Sequence, residues 1–405
     1  MERIVVIGAG QAGVQAAATL RAEGFGGALT LIGEEPFPPY QRPPLSKAYL
    51  AGDFARERLF LKPDSFYAEA ACDLRLSIAA QSIDRAGKTV LLSDGSSLAY
   101  DRLLLATGAR VRKLNIAGGD LPGVFYLRGI ADVDALRPYF QPGARLAVVG
   151  GGYIGLEVAA VAVMHGLKVT VIETAGRVMV RAASARLSAF YEQVHRAHGV
   201  EFLLGAMAEA FEGAERLEAV RTNAGRVVAD FVLAGIGIVP NCEIALEAGL
   251  ACENGIVVDE YAATSDPDIF AAGDCTNHPS FAAKNPNDRV RLESVQNAID
   301  QAKHAALAML GKPTPYREVP WFWSDQYDLK LQIAGLVRAG DATVLRGDPE
   351  SRKFSVFHLR DGVVAAVEAV NAAPDYIAGR RLIAAHARIA PERLAETAVP
   401  IKSLA

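Results

Sequence analysis

A unit of strand, glycine-rich turn, helix, strand and acid occurs twice in this 405-residue chain. With a change of pattern after residue 312, that repeat predicts an α/β protein: two Rossmann-like dinucleotide-binding domains followed by a small α+β C-terminal domain. Bulk composition agrees. Hydrophobic residues make up 51% and charged residues 22% of the chain, which is globular, and the length suits about two to four domains.

The first unit opens with Arg3-Ile4-Val5-Val6-Ile7, a run apolar on both faces that reads as a buried parallel strand. It enters Gly8-Ala9-Gly10-Gln11-Ala12-Gly13, and an alanine-rich helix follows to about Glu23. A strand from about Leu29 to Ile32 then leads to Gly33-Glu34-Glu35. The second unit repeats the order. Arg145 to Val149 is the strand, Gly150-Gly151-Gly152-Tyr153-Ile154-Gly155 the turn, and a helix runs to about His165. Lys168 to Ile172 is the next strand, closed by Glu173.

Dinucleotide binding demands this grammar. The first glycine (Gly8, Gly150) permits the tight turn, the second (Gly10, Gly152) lets the backbone approach a pyrophosphate, and the third (Gly13, Gly155) lets helix and strand pack closely. The helix start offers unpaired N–H groups and a partial positive charge. The acid about twenty residues on (Glu34, Glu173) accepts hydrogen bonds from a ribose diol. Two such sites imply two dinucleotides, a flavin and a nicotinamide together. A carboxylate at Glu173 repels a 2′-phosphate and favours NADH over NADPH, with Arg177 the nearby opposing charge.

Charge and cysteine usage exclude other classes. The net charge is −4, which gives no general affinity for nucleic acid or an anionic membrane. Cys72, Cys242, Cys252 and Cys275 form no C-x-x-C pair and read as reduced structural thiols, as suits a reducing cytoplasm. No signal peptide is expected ahead of the first strand, and the apolar stretch Val158 to Met164 is too short to span a bilayer.

Further segments carry a family resemblance. Leu105-Ala106-Thr107-Gly108-Ala109, Gly235-Ile236-Gly237-Ile238-Val239-Pro240-Asn241 and Ile269-Phe270-Ala271-Ala272-Gly273-Asp274 resemble motifs of the two-dinucleotide pyridine nucleotide-disulfide oxidoreductases. Arg42-Pro43-Pro44-Leu45-Ser46-Lys47, Gly150 to Glu157, Arg291-Leu292-Glu293-Ser294-Val295 and Pro320-Trp321-Phe322-Trp323-Ser324-Asp325-Gln326 resemble the FAD-dependent NADH:ferredoxin reductases of bacterial oxygenase systems. The resemblance covers almost the whole chain. It implies FAD at the N-terminal site, with Ala12 on the pyrophosphate and Glu34 on the adenosine ribose. Ala80, Thr107, Gly108, Arg128 and Asp274 would line that cleft, Arg42 and Lys47 would approach the flavin with Lys47 near N5, and Val295 would lie near the ring. The second turn, with Tyr153, Ile154, Glu173 and Gly237, would hold NADH, and Glu157 and Glu293 would border the nicotinamide beside the flavin. The implied partner is a small acidic 2Fe–2S ferredoxin serving a cytochrome P450 or a Rieske dioxygenase.

Each residue also has a plainer reading. Lys47 follows a Pro-Pro turn that fixes its backbone; a cation there stabilises electron density arriving on a flavin, with Glu157 its matching partner. Placed in the first helical turn, Glu157 could equally serve the helix dipole. Asp274 could cap the following helix. Trp321 and Trp323, the only tryptophans, are expected on opposite faces of an extended run, one in the core and Trp323 covering the flavin edge. Cys275 reads as structural. Lys62, Arg289, Arg291 and Lys303 could form a basic rim diluted by Asp288, Glu293 and Asp300; Lys62, Arg291 and Lys303 are the candidates for ferredoxin docking.

The expected domains are a discontinuous flavin domain at 1–108 and 242–312, a nicotinamide domain at 109–241 and a C-terminal domain at 313–405. In the last, Leu329 to Gly335, Lys353 to Leu359 and Val363 to Val370 read as strands, and about Tyr376 to His386 as a helix. A disulfide reductase or peroxidase needs cysteine early in the chain, and Glu34 to Leu61 contains none. A rubredoxin reductase or NADH oxidase of the same fold stays open, as does a non-enzymatic NADH-sensing flavoprotein, although no basic stripe favours a DNA-binding version.

Overall fold

The computed structural model describes residues 2–281 and 288–404. Two compact units are present. One holds Met1–Gln41, Arg56–Arg110 and Val239–Pro320, the other Arg42–Ala55, Val111–Ile238 and Trp321–Ala405. The short piece Arg42–Ala55, placed in the flavin domain by the sequence division, therefore groups with the second unit, as does the C-terminal segment.

The first unit is built on five parallel strands in the order Ile269–Ala271, Arg102–Leu105, Arg3–Ile7, Ala28–Ile32, Cys72–Arg75. Arg3–Ile7 sits in the middle, and chain order reverses beside it. Such a switch point opens a crevice at the carboxyl ends of the strands, where the Gly8 turn lies. The helix Gln11–Ala22 packs on the helix Val295–Met309 through Ala12, Ala16 and Ala17 against Ala298, Ala302, Ala305 and Ala306. Small side chains on both faces bring the two backbones close.

The second unit repeats the plan with parallel strands in the order Glu201–Leu204, Lys168–Glu173, Arg145–Val149, Phe231–Ala234, Val124–Phe125 and the helix Tyr153–Met164. Its C-terminal part is an antiparallel sheet in the order Trp321–Gln326, Leu329–Gly335, Val363–Val370, Lys353–Arg360, Ala342–Asp348, packed against the helix Ala373–Ala384. That helix starts three residues before Tyr376, with Pro374 near its start, where a missing N–H costs nothing. The edge strand Ala342–Asp348 fully buries only Arg346, so it lacks the apolar alternation that marks a strand in sequence. Among the described residues no helix is long and apolar enough to cross a membrane.

Candidate functional site

The glycine turns divide their labour in the same way. Gly8 has φ +114°, and a Cβ there would lie 2.1 Å from the Ala106 carbonyl oxygen. A Cβ on Gly13 would lie 2.0 Å from the Gly8 oxygen. Gly150 has φ +110° with its Cβ position 2.4 Å from the Gly235 oxygen, and that of Gly155 is 2.3 Å from the Gly150 oxygen. The middle glycines differ: a Cβ on Gly10 or Gly152 would meet nothing within 4 Å. Open space lies where a pyrophosphate would approach. Neither following helix has a side-chain cap or an acid in its first turn, whereas the helices Ala185–Ala197 and Val295–Met309 are capped by Ser184 and Ser294. Uncommitted amides, a positive helix end and an open cradle fit a bound dinucleotide at each turn.

The acids end their strands as expected. Glu34 is exposed just past Ala28–Ile32. Glu173 accepts from the Gly151 N–H (2.6 Å), the Ala175 N–H (2.8 Å) and the Thr174 hydroxyl (3.1 Å), so it also braces the turn. Arg177 is committed elsewhere: it donates to the Ala183 oxygen (3.0 Å), Ser188 Oγ (2.5 Å) and the Val180 oxygen (3.2 Å). Tyr153 donates weakly to the Ala182 oxygen (3.4 Å) and packs on Phe322 at 4.6 Å, while Ile154 is 45% exposed. Gly237 has φ +101°, and its Cβ position is 3.0 Å from the Arg181 guanidinium.

In the first unit Thr107 and Asn241 brace one another. Thr107 Oγ1 donates to the Asn241 oxygen (2.6 Å), Asn241 Nδ2 to the Thr107 oxygen (2.9 Å), and the Asn241 N–H to the Gly108 oxygen (2.9 Å). Ala80 opens the strand Ala80–Asp84, half-buried. Asp274 follows Gly273 and leads into the strand Thr276–Pro279, so it caps no helix; the next long helix starts at Val295 under its own Ser294 cap. Cys275 is fully buried, and burial pushes its thiol up to about 11. It is inert as a nucleophile at neutral pH. Arg291 is mostly buried and ion-paired with Glu293 at 2.6 Å, which leaves it little to offer a docking partner. Lys303 is exposed beside Asp300 at 3.3 Å, and half-buried Lys62 lies over the Phe66 ring.

In the second unit Pro43–Ser46 forms a 3₁₀ turn with proline at its start, and Lys47 ends it. Lys47 Nζ lies 2.7 Å from Glu157 Oε2, and the carboxylate is 2% exposed. Glu157 stands in the second turn of its helix rather than the first, so the helix-dipole reading falls away. Its other partners lie inside the Arg42 to Lys47 and Pro320 to Gln326 motifs without being singled out by them: Ser46 Oγ donates to Oε2 (2.5 Å) and Ser324 Oγ to Oε1 (2.6 Å). Arg42 donates to the Arg128 carbonyl oxygen at 2.7 Å. Trp321 and Trp323 lie together with ring centroids 5.6 Å apart, contrary to the expectation of opposite faces, because residues two apart in a strand share a face.

Two open pyrophosphate cradles, each on its own parallel sheet, and a half-buried lysine paired with a buried glutamate define a two-dinucleotide, nicotinamide-linked flavoprotein. Residues 2–302 match the pyridine nucleotide-disulphide oxidoreductase family and residues 321–405 the reductase C-terminal family. The chain belongs to the pyridine nucleotide-disulphide oxidoreductase family and is an FAD- and NADH-dependent oxidoreductase. It is 46% identical to a probable ferredoxin reductase of Castellaniella defragrans, covering 100% of this chain and 99% of the relative. It is 45% identical to rhodocoxin reductase of Rhodococcus erythropolis, covering 98% and 93%. Its fold superposes with a TM-score of 0.96 and 41% identity on the reductase in the crystal structure of the covalent putidaredoxin reductase–putidaredoxin complex, covering 100% of this chain and 98% of that one.

Proposed function

We propose that this chain passes electrons from NADH through FAD, one at a time, to a small acidic 2Fe–2S ferredoxin that supplies an oxygenase such as a cytochrome P450 or a Rieske dioxygenase. The observation that carries this reading is full-length likeness to a reductase crystallised joined to its putidaredoxin. The lack of any cysteine between Glu34 and Leu61 also favours it over disulfide or peroxide reduction.

When bound, FAD supplies the conversion of an electron pair into single electrons. The chain positions the reactants. Gly10, Ala12 and Gly13 would offer backbone amides to the FAD pyrophosphate at the turn that Gly8 makes, its own N–H being given to the Ile32 oxygen at 2.8 Å, with Glu34 on the ribose. Gly152 and Gly155 would do the same for NADH at the turn that Gly150 makes, with Glu173 on the ribose. With Arg177 tied to its own loop, its guanidinium is not poised for a 2′-phosphate, which favours NADH. Lys47, held by Glu157, would supply a cation to the flavin, Trp323 would shield it from water, and Lys62 and Lys303 would steer the acidic partner. Four free thiols suit a reducing cytoplasm.

The test is an absorbance spectrum of the purified protein, then anaerobic NADH titration and cytochrome c reduction with added ferredoxin. The expected result is a yellow protein bleached by about one equivalent of NADH, with cytochrome c reduced only when ferredoxin is present. A colourless protein that refuses flavin overturns the reading. Rapid oxygen consumption with NADH alone points instead to an oxidase.

A further inference from the structure

Glu157 is the end of a buried chain of hydrogen bonds, and its direction is fixed by chemistry. An ionised carboxylate only accepts, so the Ser324 hydroxyl must donate to Oε1 (2.6 Å). Ser324 Oγ in turn accepts from Gln326 Nε2 (3.1 Å). That orients the Gln326 amide so that its Oε1 accepts from His195 Nε2 (2.8 Å). His195 is then the Nε2–H tautomer, and its Nδ1 accepts from the Tyr327 hydroxyl (2.9 Å). Tyr327 is fixed by stacking on His198, with ring centroids 3.9 Å apart. Every donor points toward Glu157. Ser324, Gln326 and His195 are all buried. Burial holds His195 down to about 4, so it is neutral at physiological pH, as the tautomer requires.

The packing explains the register. Tyr153 and Glu157 are four apart on one helix face, and Phe322 and Ser324 are two apart on one strand face. Tyr153 meets Phe322 and Glu157 meets Ser324. Phe322, Ser324 and Gln326 thus share one face of the strand, while Trp321 and Trp323 share the other.

We propose that Ser324, backed by Gln326 and His195, is a positioning residue for the Lys47–Glu157 pair: it keeps the Glu157 carboxylate aimed so that Lys47 stays fixed against it. Glu157 Oε2 is shared by Lys47 and Ser46, whereas Oε1 has Ser324 as its one hydrogen-bond donor among the described residues. Loss of that hydroxyl strands one oxygen of a buried anion. The consequence for catalysis rests on Lys47 serving the flavin as proposed above; the link from Ser324 to Lys47 does not.

The test uses the full-length, FAD-loaded protein with Ser324→Ala, Ser324→Thr and Gln326→Leu. Three quantities are read: the rate of acylation of Lys47 by acetic anhydride, followed by mass spectrometry; the midpoint potential of the bound flavin; and the rate of its reduction by NADH. Ser324→Ala is expected to acylate Lys47 severalfold faster, to shift the potential negative and to slow reduction on the order of tenfold. Ser324→Thr keeps the hydroxyl and is expected to restore most of each value. Gln326→Leu, which leaves Ser324 in place, is expected to move all three the same way by less, and it carries the test if Ser324→Ala does not fold. Unchanged Lys47 acylation in both Ser324→Ala and Gln326→Leu overturns the proposal. Faster acylation with an unchanged potential and reduction rate leaves the positioning role standing and removes Lys47 from the flavin chemistry.

Discussion

At Gly152 and Gly155 the same residue type meets opposite constraints three positions apart. A methyl at Gly152 enters open space, so Gly152→Ala is expected to leave the melting temperature unchanged and to raise the KM for NADH by intruding on the pyrophosphate. A methyl at Gly155 meets the Gly150 carbonyl oxygen at 2.3 Å, so Gly155→Ala is expected to destabilise by about 1–3 kcal/mol and to disturb the turn itself. Thermal melts beside NADH kinetics separate the two, and equal stability loss in both variants would contradict the division. The Lys47–Glu157 pair makes a second expectation at this scale. Lys47→Met leaves a carboxylate that is 2% exposed without its cation, at a cost of about 3 kcal/mol. Adding Glu157→Gln is expected to recover part of that loss in urea unfolding, and a double variant less stable than Lys47→Met alone would refute the coupling.

On the proposed assignment of Glu173 to the NADH ribose, the loop from Glu173 to the helix Ala185–Ala197 would act as one element in choosing the nicotinamide. Its acid is locked to the Gly151 and Ala175 amides, and its arginine is locked to Ala183, Val180 and Ser188. Glu173→Ser alone is therefore expected to weaken NADH binding with little gain for NADPH, because Arg177 is not free to turn. Adding Thr174→Arg supplies a new guanidinium and is expected to shift the NADPH/NADH ratio of kcat/KM by on the order of tenfold or more. A ratio unchanged by the double substitution would remove Glu173 from the ribose.

Across the whole molecule two further expectations follow from charge. Lys303 is exposed beside Asp300, so reversing it by Lys303→Glu is expected to slow reduction of an acidic ferredoxin, most at low salt, while ferricyanide reduction is unchanged. Equal loss with both acceptors would take Lys303 off the docking surface. His195 and His278 are each held by burial at about 4, below their ordinary 6.5. The unfolded chain takes up these protons first, so their contribution is full above pH 6.5 and is lost as pH falls toward 4. Each is expected to withdraw about 3 kcal/mol over that window. Urea unfolding at falling pH should show a shallower decline for His278→Asn than for the parent chain, and parallel curves would exclude His278.

Both cradles were legible in the chain because their reasons are local: three glycines at fixed spacing, each with its own backbone constraint, between an apolar run and an alanine-rich helix. Lys47 and Glu157 were legible only as motif members, since 110 residues separate the partners and nothing nearby in sequence ties one to the other. Ser46, Ser324 and Gln326 stood inside quoted motifs with no role assigned, and His195 was missed. The available signal was Ser324 and Gln326 alternating with tryptophans on what becomes a buried face, but polar residues in a short strand are ordinary until burial is known. By itself the sequence determined where two helix starts present free amides, because turn geometry depends on a few neighbouring dihedrals. Only the tertiary structure decided how the Glu157 carboxylate is held, because burying a charge obliges distant donors to converge on it, and those donors are chosen by packing rather than by spacing.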